Sequence, residues 1–208
     1  MKFQSMALLA VWCGLQAGVA FAAEQHVAGS VEKGQAKAAP CVACHGVNGN
    51  SVNPEWPNLA GQHETYIKRQ LTAFKNDVRQ NPLMSAMAKP LSDEDMADLG
   101  AYFSSQALTG NLEADSSKVS AGEKLYRGGD AQKGIPACAA CHGPRGNGNP
   151  AASYASIRGQ HATYTTAQLK AYRSGTRQTD QNQMMRNVAT NLTDDQIAAV
   201  AAYIQGLR

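Results

Sequence analysis

Two distant stretches of the 208-residue chain carry the same apolar stripe. Met96, Leu99 and Phe103 fall at i, i+3 and i+7, and Ile197, Val200 and Ile204 repeat that spacing near the C-terminus. A period near 3.6 residues predicts an amphipathic helix in each place. Both helices open on a capping box, Ser92-x-x-Asp95 and Thr193-x-x-Gln196, in which side chain and backbone at the first turn satisfy each other. A middle helix carries Tyr66, Gln70, Leu71 and Phe74, and a second carries Tyr164, Gln168, Leu169 and Tyr172. A short first helix should end near Pro40, because the residue before a proline is pushed out of the helical region. Its counterpart lies around Gly122 to Tyr126 and is followed by a Gly-rich insertion, Arg127 to Pro136. No strand pattern of convincing length is present, so the fold class is all-α.

These elements come in pairs because the chain repeats itself. Cys41 aligns with Cys138 at an offset of 97, and Gly61-Gln62-His63-Glu64-Thr65-Tyr66 aligns with Gly159-Gln160-His161-Ala162-Thr163-Tyr164 at 98. Arg79 matches Arg177, and the segment from Met84 to Tyr102 matches Met185 to Tyr203 at 101. The slow drift means short loop insertions in a duplicated domain. The expected organisation is a first domain over residues 23–108, a polar linker over 109–120 and a second domain over 121–208.

The repeat unit carries chemistry. Cys41-Val42-Ala43-Cys44-His45 and Cys138-Ala139-Ala140-Cys141-His142 are two copies of Cys-x-x-Cys-His, the attachment signature of c-type haem. Two thiols at this spacing can each add to a porphyrin vinyl group, and the following histidine then lies under the ring as proximal ligand. Two blander readings compete. Paired CxxC motifs can close one four-thiolate zinc site, but its halves usually lie closer in sequence and need no trailing histidine. A dithiol redox pair expects a strand–helix setting that is missing here. Two covalently bound haems c are therefore expected, on Cys41 and Cys44 and on Cys138 and Cys141.

The N-terminus bears on compartment. Lys2 precedes an apolar run from Met6 to Val19, and Ala20-Phe21-Ala22 forms an A-x-A cleavage pattern. Residues 1–22 thus read as a cleavable signal peptide, with Cys13 inside the discarded piece. Export to the periplasm is the expected outcome, and all four remaining cysteines belong to the haem motifs. Charge adds polarity: residues 23–112 hold seven Lys/Arg against nine Asp/Glu, and residues 113–208 hold eleven against seven. Lys170, Arg173 and Arg186 are cations expected to steer partners to the second half. The modest basic excess is dispersed and lacks a recognition module, so nucleic acid is not an expected partner.

The occupant of the sixth iron position separates carrier from enzyme. Met84 and Met185 stand at equivalent places, each seven residues before a leucine, Leu91 and Leu192, that leads into the last helix. Met87 aligns with Val188, Met184 with Leu83, and Met96 with Ile197 in the core stripe, so none of these repeats. The expected axial pairs are His45 with Met84 and His142 with Met185, the methionines lying in loops. His63 and His161 are the rivals; His26 has no counterpart.

With these residues together, the chain resembles the dihaem cytochrome c4 family. The resemblance rests on the two CxxCH motifs, the Gly-Gln-x-x-x-Tyr segments, and Met84-x-x-x-Ala88-x-x-Leu91 with Met185-x-x-x-Ala189-x-x-Leu192. It implies two tandem class I cytochrome c domains with His–Met haems, packed so that electrons pass between them. It also implies a periplasmic carrier, loosely membrane-associated, working between a cytochrome bc complex and a haem-copper terminal oxidase. One position departs from the family: Pro57 precedes the first Leu-x-Gly-Gln, but Ala155 stands at the matching place in the second half. The carbonyl there would accept the proximal histidine's other N–H, so ligation is expected at both haems and equal potentials are not. Two further readings remain: an electron-accepting subunit of a periplasmic dehydrogenase, and a dihaem peroxidase, which would need one open iron.

Overall fold

The computed structural model describes residues 29–109 and 114–207, so the proposed signal peptide and His26 lie outside the described residues. Val31–Lys37 (α1) and Ala39–His45 (α2) form a broken pair in which Ala38 is the hinge. Pro40 starts α2 and does not simply end α1, since a proline in a helix's first turn lacks only an N–H that would be unpaired anyway. The first half continues with Glu64–Lys75 (α3), Pro82–Ala88 (α4) and Asp93–Ser105 (α5). The second half comprises Ser116–Gly128 (α6), Ala139–His142 (α7), Ala162–Arg173 (α8), Met184–Thr190 (α9) and Asp194–Gly206 (α10). Among the described residues the only extended pairings are two isolated bridges, Asp130 with Ile135 and Asn149 with Tyr154. The all-α expectation holds.

Both capping boxes form as read from the sequence, at Ser92 and Thr193. Two expectations shift. Residues 116–120, placed in the linker, are the opening turns of α6, capped by Asp115. The stretches around Met84 and Met185, expected as loops, are the short helices α4 and α9. Asn81 caps α4 by accepting from the Met84 N–H, and Pro82 pre-sets its first turn.

Each half has its own core. Ala38, Ile67, Leu99, Tyr102 and Phe103 cluster in the first, and Leu125, Tyr126, Ile197, Val200 and Ile204 in the second. α1 packs on α5 and α6 on α10, with α3 and α8 lying against the same terminal helices. Glycine makes the α1–α5 and α6–α10 crossings close. A Cβ on Gly34 would fall 2.0 Å from the Asp98 carbonyl oxygen, and one on Gly122 would fall 2.1 Å from that of Ala199. Backbone rests on backbone at both crossings, which only a residue without a side chain permits.

The halves are joined by buried polar contacts. Gln62 bonds both backbone atoms of Ser156, its Nε2 donating to the carbonyl (2.8 Å) and its Oε1 accepting from the N–H (3.0 Å). Gln160 does the same to Asn58, at 2.9 Å in each direction. His161 Nε2 lies 3.0 Å from the Ser51 carbonyl, and Arg69 donates to the Ser153 carbonyl at 3.0 Å. The duplicated sequence thus packs with approximate twofold reciprocity.

Candidate functional site

The CxxCH motifs sit on helix ends. α2 sets Cys41 and Cys44 three residues apart, hence on one face, with His45 as its last residue. α7 is a single turn that does the same for Cys138, Cys141 and His142. Gly46 (φ 76°) and Gly143 (φ 77°) then turn the chain sharply, in a region that favours glycine. All four cysteines are unpaired.

Both histidines are held by one ring nitrogen. His45 Nδ1 lies 2.9 Å from the Pro57 carbonyl oxygen, and His142 Nδ1 lies 2.9 Å from that of Ala155. The bond expected from the proline is therefore also made by the alanine. Burial holds both imidazoles below the ordinary histidine pKa, opposed more weakly by these carbonyls. A neutral ring donating through Nδ1 leaves Nε2 with a free lone pair, the state a metal ligand requires. Burial pushes the Cys138 thiol up to about 11 and raises that of Cys41. A redox dithiol needs the opposite shift, so the thioredoxin-like reading loses its support. Among the described residues no three His, Cys, Asp or Glu side chains come together as a metal site, which removes the shared zinc reading.

A cavity of about 1750 Å3 runs between the halves and is lined by the cysteines and histidines of both motifs. Met84, Met87, Met184 and Met185 also line it. Met96 does not; it is fully buried in α5, as its place in the core stripe predicted. The Met184 Sδ lies 3.7 Å from the hydroxyl of Tyr154, which lines the same cavity. Neither His63 nor His161 lines the cavity; both sit at N-caps, of α3 and α8.

Arg79 and Arg177 line the same cavity and are 8% and 5% exposed. Their partners are neutral and reciprocal. Arg79 donates to Gln70 (2.9 Å) and, across the interface, to Tyr164 and Gln168 (2.8 Å each). Arg177 donates to Gln168 (2.7 Å) and, across the interface, to Tyr66 (2.9 Å) and Gln70 (3.0 Å). Each guanidinium also stacks 4.6 Å from a ring, Phe74 or Tyr172. Among the described residues neither has a carboxylate partner, and two buried cations without an anion call for one in the cavity. Haem propionates answer that need, and the free imidazole nitrogens and paired thiols answer the rest of a haem. The polar positions of α3 and α8 were legible only as repeated residues; their role at the interface was not.

The surface modifies the charge reading. Lys170 and Arg173 share Asp194, and Arg186 pairs with the buried Asp180, so none of the three expected steering cations is unpaired and only one net positive charge remains among them. Arg145 and Arg158 are exposed, and no carboxylate among the described residues lies within ion-pair distance of either. The Arg158 backbone N–H bonds the Gly146 carbonyl at 3.2 Å, which sets the backbone of Arg158 beside the loop that carries Arg145, three residues after His142.

Two helical units, each with a CxxCH motif opening on a shared cavity, define a two-domain c-type cytochrome. The family model for cytochrome c matches residues 31–107 and again 119–208. The chain belongs to the cytochrome c4 family. It is 45% identical to a cytochrome c4 of Pseudomonas aeruginosa, over 88% of this chain and 90% of that protein. A crystal structure of reduced cytochrome c4 from Pseudomonas stutzeri superposes with a TM-score of 0.84 at 45% identity, covering 87% of this chain and all of the other. A thiosulfate dehydrogenase electron acceptor of Thiomonas intermedia is 41% identical over 81% of this chain and 78% of its own length. The protein is a dihaem electron-transfer cytochrome whose two haems c are bound covalently, through Cys41 and Cys44 and through Cys138 and Cys141.

Proposed function

We propose that the chain is a periplasmic carrier in which His45 with Met84, and His142 with Met185, hold the two irons. The observation that carries this reading is that both duplicated methionines line the cavity onto which both histidines face, while the rival histidines and Met96 do not. Haem iron supplies a one-electron couple there, and a thioether in the sixth position suits electron transfer over substrate binding. His45 with Met84 and His142 with Met185 would hold the two irons, and Arg79 and Arg177 would neutralise haem carboxylates at the interface. A peroxidase would need one side left open, which the paired methionines oppose. The proposed partners are a cytochrome bc complex as donor and a haem-copper terminal oxidase as acceptor, with loose membrane association. No described helix is long and apolar enough to cross a membrane.

A second reading is favoured by one observation, the likeness to a thiosulfate dehydrogenase electron acceptor. On that reading the chain takes electrons from a periplasmic dehydrogenase as its dedicated partner. Co-purification that survives high salt supports it over a free carrier. The ligand assignment is tested by the far-red sulfur-to-iron charge-transfer band of the oxidised holoprotein. Met84→His and Met185→His should each remove part of the band and the double variant all of it; loss in Met87→Leu or Met184→Leu would refute the assignment.

A further inference from the structure

We propose that Gln62 and Gln160 are positioning residues that each tune the haem held by the opposite half of the chain. The proposal rests on the axial roles given above to His45 and His142. Its starting point is a single peptide unit in each half. The carbonyl of Ala155, which holds His142 Nδ1, belongs to the same amide as the N–H of Ser156. That N–H donates to Gln62 Oε1, a side chain of the other half, at 3.0 Å. In the first half the Pro57 carbonyl holds His45 Nδ1, and the Asn58 N–H of the same amide donates to Gln160 Oε1 at 2.9 Å.

A trans peptide is planar, with its C=O and N–H pointing in opposite directions. Each histidine is thus joined through one amide to a glutamine from the other domain. A hydrogen bond taken at the N–H end polarises the amide and strengthens the carbonyl as an acceptor, by about 10–30% per bond. A stronger acceptor draws the Nδ1 proton outward and makes the imidazole a more basic ligand. A more basic ligand favours the ferric state, so each glutamine lowers the potential of the haem across the interface.

The construction is fixed in place. Gln62 Nε2 also donates to the Ser156 carbonyl and Gln160 Nε2 to the Asn58 carbonyl, so each glutamine also holds the next amide along the chain. Each Oε1 also accepts from the next residue's own N–H, His63 at 3.0 Å and His161 at 3.1 Å, which pins the glutamine to its helix start. Gln62 and Asn58 are buried, and Gln160 and Ser156 are half-buried. Domain docking and haem potential are thereby coupled through these two side chains.

The test uses the holoprotein with Gln62→Leu, Gln160→Leu and Gln62→Glu, the last keeping an acceptor towards Ser156. Two readouts are taken: a redox titration with the haems resolved by proton NMR, and the 1H–15N shift of each proximal Nδ1–H in the fully reduced protein. Gln62→Leu should move the His142 Nδ1–H signal and raise the second haem's reduction constant by up to about tenfold, about 59 mV for one electron. The first haem should hold its value, Gln160→Leu should show the mirror pattern, and Gln62→Glu should not raise the second potential. A shift confined to the mutated domain's own haem, equal shifts of both, or none with both His–Met spectra intact would overturn the proposal. If Gln62→Leu does not fold, a raised second potential in Gln62→Glu would overturn it as well. Absence of the far-red band or of either Nδ1–H signal from the unmutated holoprotein would instead overturn the ligand assignment, and the proposal with it.

Discussion

Gly122→Ala sets helix propensity against packing, and the structure says which prevails. In a helix interior alanine is favoured over glycine by about 0.8–1.0 kcal/mol. At Gly122, however, the new Cβ would lie 2.1 Å from the Ala199 carbonyl oxygen, 2.7 Å from its carbon and 2.8 Å from Tyr203 Cβ. Two of those atoms are backbone of α10, so no rotamer change relieves the contact, and α6 must lift from α10 by more than about 1 Å. Overpacking of this kind costs about 1–3 kcal/mol. With a rigid backbone neighbour we take the upper part of that range and expect a net loss of about 1–2 kcal/mol. Gly128, the last residue of the same helix, is the control: nothing lies within 4 Å of its Cβ position. Gly128→Ala should be neutral or stabilising by up to about 1 kcal/mol. Urea unfolding of the reduced holoprotein, followed by far-UV circular dichroism, measures both. Because Tyr126 on α6 donates to the Gly143 carbonyl beside His142, at 2.6 Å, the damage should appear in the Soret signal of the second haem before the first. A Gly122→Ala protein as stable as the unmutated chain would refute the reasoning.

Acid should loosen the first domain before the second. Asp98 accepts from the Ser30 N–H and pairs with Lys37, and these, the backbone bond foremost, hold its pKa below the usual carboxylate value of about 3.9. Its contribution is complete above that value and is lost as pH falls through the depressed folded pKa. Ala199 replaces it in the second half, so Asp98→Asn should remove the acid-dependent exposure of α1 by hydrogen exchange; an unchanged pH profile would count against this. Arg145→Glu with Arg158→Glu should slow reduction by a physiological donor or oxidation by an acceptor several-fold at low salt, and flatten the salt dependence. Reversal of the paired Lys170 and Arg173 should do less; the reverse ranking in stopped-flow kinetics would refute a docking role for Arg145 and Arg158.

The elements most legible in the sequence were those whose determinants are local. Cys41, Cys44 and His45 must be neighbours to serve one haem, so the motif announces itself. The last helices were legible through a cap, Ser92 or Thr193, followed by a periodic apolar face. α4 and α9 were not, because seven residues give too few turns for a period to show; α4 is held by its Asn81 cap, and both pack against α3 or α8. Duplication did what periodicity could not: it singled out Met84 and Met185 among seven methionines.

By itself the sequence determined the all-α class, the two-domain repeat, the two covalent haems and the family. Each depends on contacts within a few residues or on likeness between two copies. Only the tertiary structure decided how the copies meet. Arg79 reaches Tyr164 across 85 residues of chain, and Arg177 reaches Tyr66 across 111. Gln62 and Gln160 looked like ordinary polar residues before a helix, and Lys170, Arg173 and Arg186 looked like free charge. A polar side chain carries no record in sequence of what it will be buried against, because hydrogen-bond and ion-pair partners are chosen by docking geometry and not by chain separation.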